Sequence, residues 1–168
     1  MTDFAWRGMQ HADLGGVMVL AECVHPDLPE DEAVFAERIA LYPEGCLVLS
    51  DGHAIEGYAL AHPIRRFEPP ALNTLIGQLQ AEADEFYIHD FVLAPERRGA
   101  GHAKAGIARL LSLGEAFATS ALVSVYGTAD FWSRFGFAIV GGPEIARKLV
   151  PYGPGAVYMR RDNGAAAG

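Results

Sequence analysis

Residues 85–106 read Glu85-Phe86-Tyr87-Ile88-His89-Asp90-Phe91-Val92-Leu93-Ala94-Pro95-Glu96-Arg97-Arg98-Gly99-Ala100-Gly101-His102-Ala103-Lys104-Ala105-Gly106. A β-rich apolar run, Phe86 to Leu93, feeds a glycine-rich turn, and the turn opens a helix expected over Gly101 to Phe117. That order aims several backbone N–H groups and the positive end of a helix at one spot. Such a spot suits an anion of the pyrophosphate kind. Gly99 and Gly101 permit close backbone approach, and Arg97 and Arg98 add positive charge beside it. Many turns before helices carry glycine only to bend the chain, so the segment needs support from its neighbours. No Walker-type phosphate loop and no G-x-G-x-x-G dinucleotide pattern occurs.

Upstream, residues 4–9 form a candidate strand. A helix is expected from Leu14 to Val24, capped by Asp13 and ended by His25-Pro26. Pro29-Glu30-Asp31-Glu32 reads as the acidic first turn of a second helix, which runs to Leu41 and buries Val34, Phe35, Ile39 and Leu41. Cys46 to Leu49 and Ala54 to His62 are strands joined at Asp51-Gly52, with Gly57 a candidate bulge. Residues 63–84 read as an insertion between sheet strands, with a short helix expected from Asn73 to Gln80. Downstream, Ala121 to Tyr126 is a strand and Asp130 to Phe135 a short helix closed by Gly136. Phe137 to Val140 and Ala156 to Arg160 are the last strands. The order β-α-α-β-β-β-α-β-α-β-β describes an α/β layered sheet. Residues 163–168, Asn-Gly-Ala-Ala-Ala-Gly, read as a disordered tail.

Three segments resemble the GCN5-related N-acetyltransferase (GNAT) superfamily, which uses acetyl-coenzyme A. Arg98-Gly99-Ala100-Gly101-His102-Ala103 fits the family's R/Q-x-x-G-x-G/A turn. Leu93-Ala94-Pro95 matches the aliphatic-x-Pro step that leaves its fourth strand, and Phe131 to Phe137 matches its aromatic-aromatic-x-x-x-Gly-Phe helix end. The first half of the chain matches in element order alone. The resemblance implies a mixed, mostly antiparallel central sheet of six to seven strands flanked by helices, with splayed fourth and fifth strands. It implies a single acyl-CoA N-acyltransferase domain over residues 1–162.

It also implies roles. Backbone amides from Arg98 to Lys104, chiefly Arg98, Gly99, Gly101 and Ala103, would hold the coenzyme pyrophosphate, with Ala100 and His102 in the same turn. Leu93, following Phe91 and Val92, would pair its main chain with the pantetheine arm like an added strand. Acetyl-CoA would be the acyl donor, no metal is required, and the acceptor would be a primary amine of a small molecule or peptide. The competing reading is a non-catalytic acyl-CoA-binding sensor. Homodimers are frequent among similar proteins.

Direct transfer to an amine needs a base, stabilisation of the thioester oxygen and a proton for the thiolate. Strand alternation puts Tyr87, His89 and Phe91 on one face and Ile88, Asp90 and Val92 on the other. His89 is the first candidate base, because imidazole titrates near neutrality. A hydrogen-bonded core histidine is the competing reading. Tyr87 sits in a register where similar proteins carry a base or relay. Asp90 can act through water or attract an ammonium group. The family's general-acid tyrosine is replaced by Trp132, whose indole N–H is no useful acid but can pack against the coenzyme. Tyr126 is the substitute candidate. Asp27, Glu30, Asp31, Glu32 and Glu37 either draw in a cationic acceptor or form a solvated helix start.

The chain has 168 residues, of which 51% are hydrophobic, and a formal net charge of −8. One globular domain with a sizeable core fits that length. The acidic balance, without a basic stripe, disfavours nucleic acid. No apolar run approaches the roughly 20 residues of a membrane helix. The N-terminus lacks a signal-peptide pattern, and Cys23 and Cys46 are expected as free thiols, so a cytoplasmic location is expected.

Overall fold

The computed structural model describes residues 3–164. Among them, seven strands form one mixed sheet: β1 (Ala5–Gly8), β2 (Cys46–Ser50), β3 (Ile55–Ile64), β4 (Glu85–Leu93), β5 (Thr119–Ser124), β6 (Ala138–Val140) and β7 (Val157–Asp162). Their spatial order is β1-β2-β3-β4-β5-β7-β6, and only β4 and β5 run parallel. The helices are α1 (Leu14–Val24), α2 (Glu32–Leu41), α3 (His102–Gly114), α4 (Ala129–Ser133) and α5 (Pro143–Leu149). All five residues of β2 are buried, because helices cover both faces of the central strands.

One face carries α1 and α2. Leu14, Val17 and Leu20 of α1 and Val34 and Phe35 of α2 pack on Val48, Tyr58, Leu60 and Val92. The opposite face carries α3 and α4, with Ile107, Leu110 and Trp132 against Ala59, Ala61, Ile88 and Leu122. The Trp6 ring keys into α3 at Gly106, where a Cβ would come within 2.5 Å of it, and its indole N–H donates to the His102 carbonyl at 2.8 Å. Trp6 thereby fixes the first turn of α3.

Several expectations need correction. Asp13 does not cap α1; its carboxylate takes Arg7 at 2.8 Å and the Gln10 N–H instead. The helix expected over Asn73 to Gln80 does not form. Asn73 (φ 55°) and Gly77 (φ 76°) turn the backbone left-handed, which no helix continues. The segment is instead a strap fastened by side chains. Glu37 accepts from the N–H of Ile76 and Gly77, Glu30 from that of Asn73, and Asn73 from that of Asp31. A further helix, α5, fills the last loop. Asn163, expected in the tail, bonds Ser120 and the carbonyls of Gly114 and Phe117; residues 165–168 lie outside the described residues.

The strict alternation expected along β4 is also broken. Leu60 pairs with Asp90 but Ala61 pairs with Ile88, so His89 is an extra residue, a β-bulge. Tyr87 and His89 share the α1–α2 face as expected. Beyond the bulge the parity reverses: Asp90 and Val92 join that face, and Phe91 turns to the α3 face, against Trp6 and Trp132.

Candidate active site

β4 and β5 pair from Glu85↔Thr119 to Ile88↔Leu122 and then part. Beyond that point β4 stays with β3 as far as Leu93, and β5 stays with β7 as far as Ser124. The closed end of the wedge is held by Glu85, which is fully buried. Its carboxylate takes two hydrogen bonds from Arg160 (3.0 and 2.8 Å), one from Thr119 and one from Tyr158. Three strands are tied at that point.

The open end leads into a cavity of about 660 Å³ that passes through the sheet. On the α3 side its wall is Ile88, Phe91, Leu122, Phe131 and Trp132, with Arg98, Gly99, Gly101 and Ala103 at the turn before α3. Gly99 (φ 84°) and Gly101 (φ 85°) adopt the left-handed conformation that favours glycine. Among the described residues, the N–H groups of Gly99 to Lys104 meet no protein acceptor. Six backbone donors at a helix start thus lack a partner within the chain, a setting that suits an anion, whereas the Arg98 N–H expected among them is taken by the Pro95 carbonyl.

On the α1–α2 side the wall is polar. His25 Nε2 lies 3.0 Å from Asp90 Oδ1, and Tyr58 donates to Asp90 Oδ2 at 2.5 Å. His89 Nε2 lies 2.8 Å from Glu30 Oε1, with side-chain exposures of 2% and 8%. Two imidazole–carboxylate pairs thus stand side by side. Burial favours the neutral acid of Asp90, but hydrogen bonds from His25 and Tyr58 and the nearby imidazoles outweigh it, so its carboxyl titrates below the usual range. Glu30 is lowered likewise: burial opposes its charge, and His89 overrides that. An ionised carboxylate only accepts, so a neutral His25 or His89 must carry its proton on Nε2 and a lone pair on Nδ1. Both Nδ1 atoms are buried without a partner. Burial opposes charge on His25, yet Asp90 and Glu30 raise its pKa. Behind His89, burial and the neighbouring imidazole push His62 down to about 3.

His25 and Asp90 make a pH test of this geometry. The His25 contribution is complete below its unfolded value of about 6.5 and is lost as pH rises through the raised folded value. The Asp90 contribution is present above about pH 3.9 and is lost as pH falls through the lowered one. Urea unfolding should therefore show His25→Gln most destabilised between about pH 4 and 6.5. A deficit that does not shrink by alkaline pH would contradict the pairing.

The expected site residues divide. His89, Asp90, Phe91, Val92, Leu93, Arg98, Gly99, Gly101, Ala103, Tyr126 and Trp132 line the cavity. Tyr126, expected at the end of a strand, lies in the turn after β5 with φ 55° and stacks on His25 at 5.6 Å; burial, then Asp27 and Asp90, raise its pKa. Tyr87 lies off the wall, buried behind His89 at 5.9 Å between ring centres. Arg97 turns away, 3.7 Å from Glu56 and stacked over Phe4. The Ala100, His102 and Lys104 side chains also lie off the wall, although their amides belong to the donor row. Trp132 is 7% exposed and wedged among Phe91, Phe131, Phe135 and Phe137, a packing role. Sequence reasoning did not select His25, Glu30 as a partner of His89, or Tyr152, whose hydroxyl burial pushes up to about 12. The Pro that follows His25 was the one local signal that the residue leaves its helix into the site.

Solved structures share this fold. Ard1 from Thermoplasma volcanium superposes with a TM-score of 0.70 at 18% identity, covering 95% of this chain and 97% of that one. The loading GNATL domain of CurA from Lyngbya majuscula gives 0.72 at 14%, covering 96% and 98%. N-acetylglutamate synthase from Neisseria gonorrhoeae, solved with coenzyme A and N-acetylglutamate, gives 0.70 at 16%, covering 96% of this chain and 35% of that one. Among curated proteins, none matches the chain significantly in sequence. The model of the Acetyltransferase (GNAT) family matches residues 16–137, and with the wedge between β4 and β5 and the free amides before α3, this chain belongs to that family.

Proposed function

We propose that the protein is a cytoplasmic acetyl-CoA-dependent N-acetyltransferase that moves an acetyl group directly to a primary amine of a small molecule or peptide. The observation that carries this reading is the cavity through the sheet: free backbone donors stand at one end and two imidazole–carboxylate pairs at the other. The amides of Gly99 to Lys104, with Arg98, bind the pyrophosphate. Beyond Ile88, the β4 edge facing β5 has no strand partner and pairs with the pantetheine arm. The cytoplasmic reading rests on Cys23 and Cys46 being free thiols.

His89 takes the amine proton, with Glu30 holding its Nε2; Nδ1 is buried in this structure, so the ring turns or a water relays the proton to it. The amine nitrogen attacks the thioester carbon, the C–N bond forms and the C–S bond breaks. Tyr126, held protonated by its raised pKa, returns a proton to the thiolate. The products are an acetamide and the free thiol of CoA.

Thiol release from acetyl-CoA against an amine panel tests the activity. His89→Ala should lower kcat by about a hundredfold or more, with little change in affinity for acetyl-CoA. An unchanged pH–rate profile in that variant would remove His89 as base. Tight binding of acetyl-CoA without release on any amine would instead mark a binding module.

A further inference from the structure

We infer that the acceptor is an alkyl or arylalkyl amine bearing no carboxylate beside its amino group, an inference that rests on the function proposed above. The two mouths of the cavity differ in charge. Among the described residues, the only Lys or Arg on its wall is Arg98. It lies in the turn before α3, past Phe91–Leu93, which is about 10 Å of strand from Asp90. The α1–α2 mouth has no Lys or Arg, and each of its imidazoles is tied to a carboxylate. Arg38, the buried cation on that face, lies off the wall, bonded to Glu37 at 2.7 Å and to the Thr74 carbonyl, with its Nε unpartnered. Arg160 is spent on Glu85.

What that mouth does present is Asp90 and Glu30, both anionic, each oxygen holding one partner and keeping a second lone pair. Between them stands the His89 ring, almost wholly buried, with Nδ1 unpartnered. An ammonium group is drawn there by the two carboxylates. The rim beyond is apolar, made by Val24, Leu28 and Leu72 with the Tyr126 ring. A hydrocarbon or aromatic body suits that rim. The α-carboxylate of an amino acid would face Asp90 and Glu30 with no Lys or Arg on that wall, and with the His25 imidazole already tied to Asp90. Glu30 also holds the strap at Asn73, so Leu72 and the carboxylate are positioned by one contact.

The test uses matched pairs that differ by one carboxylate beside the single amine: 2-phenylethylamine with phenylalanine, and 3-methylbutylamine with leucine. Thiol release should favour the decarboxylated member of each pair by on the order of tenfold or more in kcat/KM. A second reading does not need turnover: with CoA saturating, the melting temperature should rise with the amine of each pair and not with its amino acid. Equal response to both members, preference for the amino acid, or no shift with any amine would overturn the inference. Amine-selective stabilisation without thiol release would keep it and sink the transferase reading. Loss of acetyl-CoA binding itself is read separately by calorimetry.

Discussion

Gly101→Glu should abolish measurable acetyl-CoA binding. Gly101 caps α3 at φ 85°, ψ 0°, where an L residue is strained, and its N–H is one of the free donors. A Cβ built there meets nothing within 4 Å, so the effect is not one of crowding against the protein itself. Two terms remain. Left-handed strain costs about 1–3 kcal/mol in stability. A carboxylate beside the six amides competes for them and repels a pyrophosphate; at about 4 Å and surface screening, one like charge opposes another by about 4 kcal/mol. Together with the lost backbone approach, that is a loss of three orders of magnitude or so in affinity. Gly101→Ala separates the terms, since it carries the strain without the charge. Calorimetric titration of both variants decides. Near-normal affinity in Gly101→Glu, with the fold intact, would put the pyrophosphate elsewhere.

Arg160→Met should be among the most destabilising single changes at the sheet centre. It leaves the Glu85 carboxylate, which has no exposed surface, with Thr119 and Tyr158 as hydrogen-bond partners and the half-exposed Arg66, 3.8 Å away, as its remaining cation. Breaking a buried pair from one side costs about 3–5 kcal/mol, because the surviving charge stays desolvated. Arg160 also stacks over Phe67 at 4.6 Å, so its removal loosens the start of the loop after β3. Adding Glu85→Gln should restore about half of the loss, because a neutral amide needs no counter-charge. Equilibrium unfolding of the single and double variants reads both. A single variant within 1 kcal/mol of the parent, against the range above, would mean that the closed end of the wedge is held by the ladders alone.

The parts of the fold legible in the sequence were those built from neighbouring residues. The β4–turn–α3 unit and the Phe131 to Phe137 stretch carry their signals within a dozen positions, and the structure forms both. Helix α5 was missed because its seven residues bury only Ile145 and Leu149, too short a pattern to stand out. The expected helix after Asn73 failed because side chains from α2 and the preceding loop outbid its own hydrogen bonds. The polar wall escaped for another reason. Its pairs join residues 65 and 59 positions apart, and nothing local to His25 or Glu30 announces a partner on β4. The acidic run before α2 read most easily as solvated, yet Glu30 is nearly buried against His89 and Glu37 is tied to the strap. A bulge has no marker either, when the extra residue is as polar as its neighbour.

That bulge makes β4 tolerant of a deletion at one position. Dropping one residue from a central strand ordinarily inverts every side chain that follows and destroys the core. In β4 the opposite holds. With His89 omitted, Tyr87, Asp90 and Val92 fall on one face and Ile88 and Phe91 on the other, which are the faces they already occupy. The imidazole is therefore an extra residue laid over a regular ladder, and deleting it should remove the candidate base while leaving the alternation of the core intact.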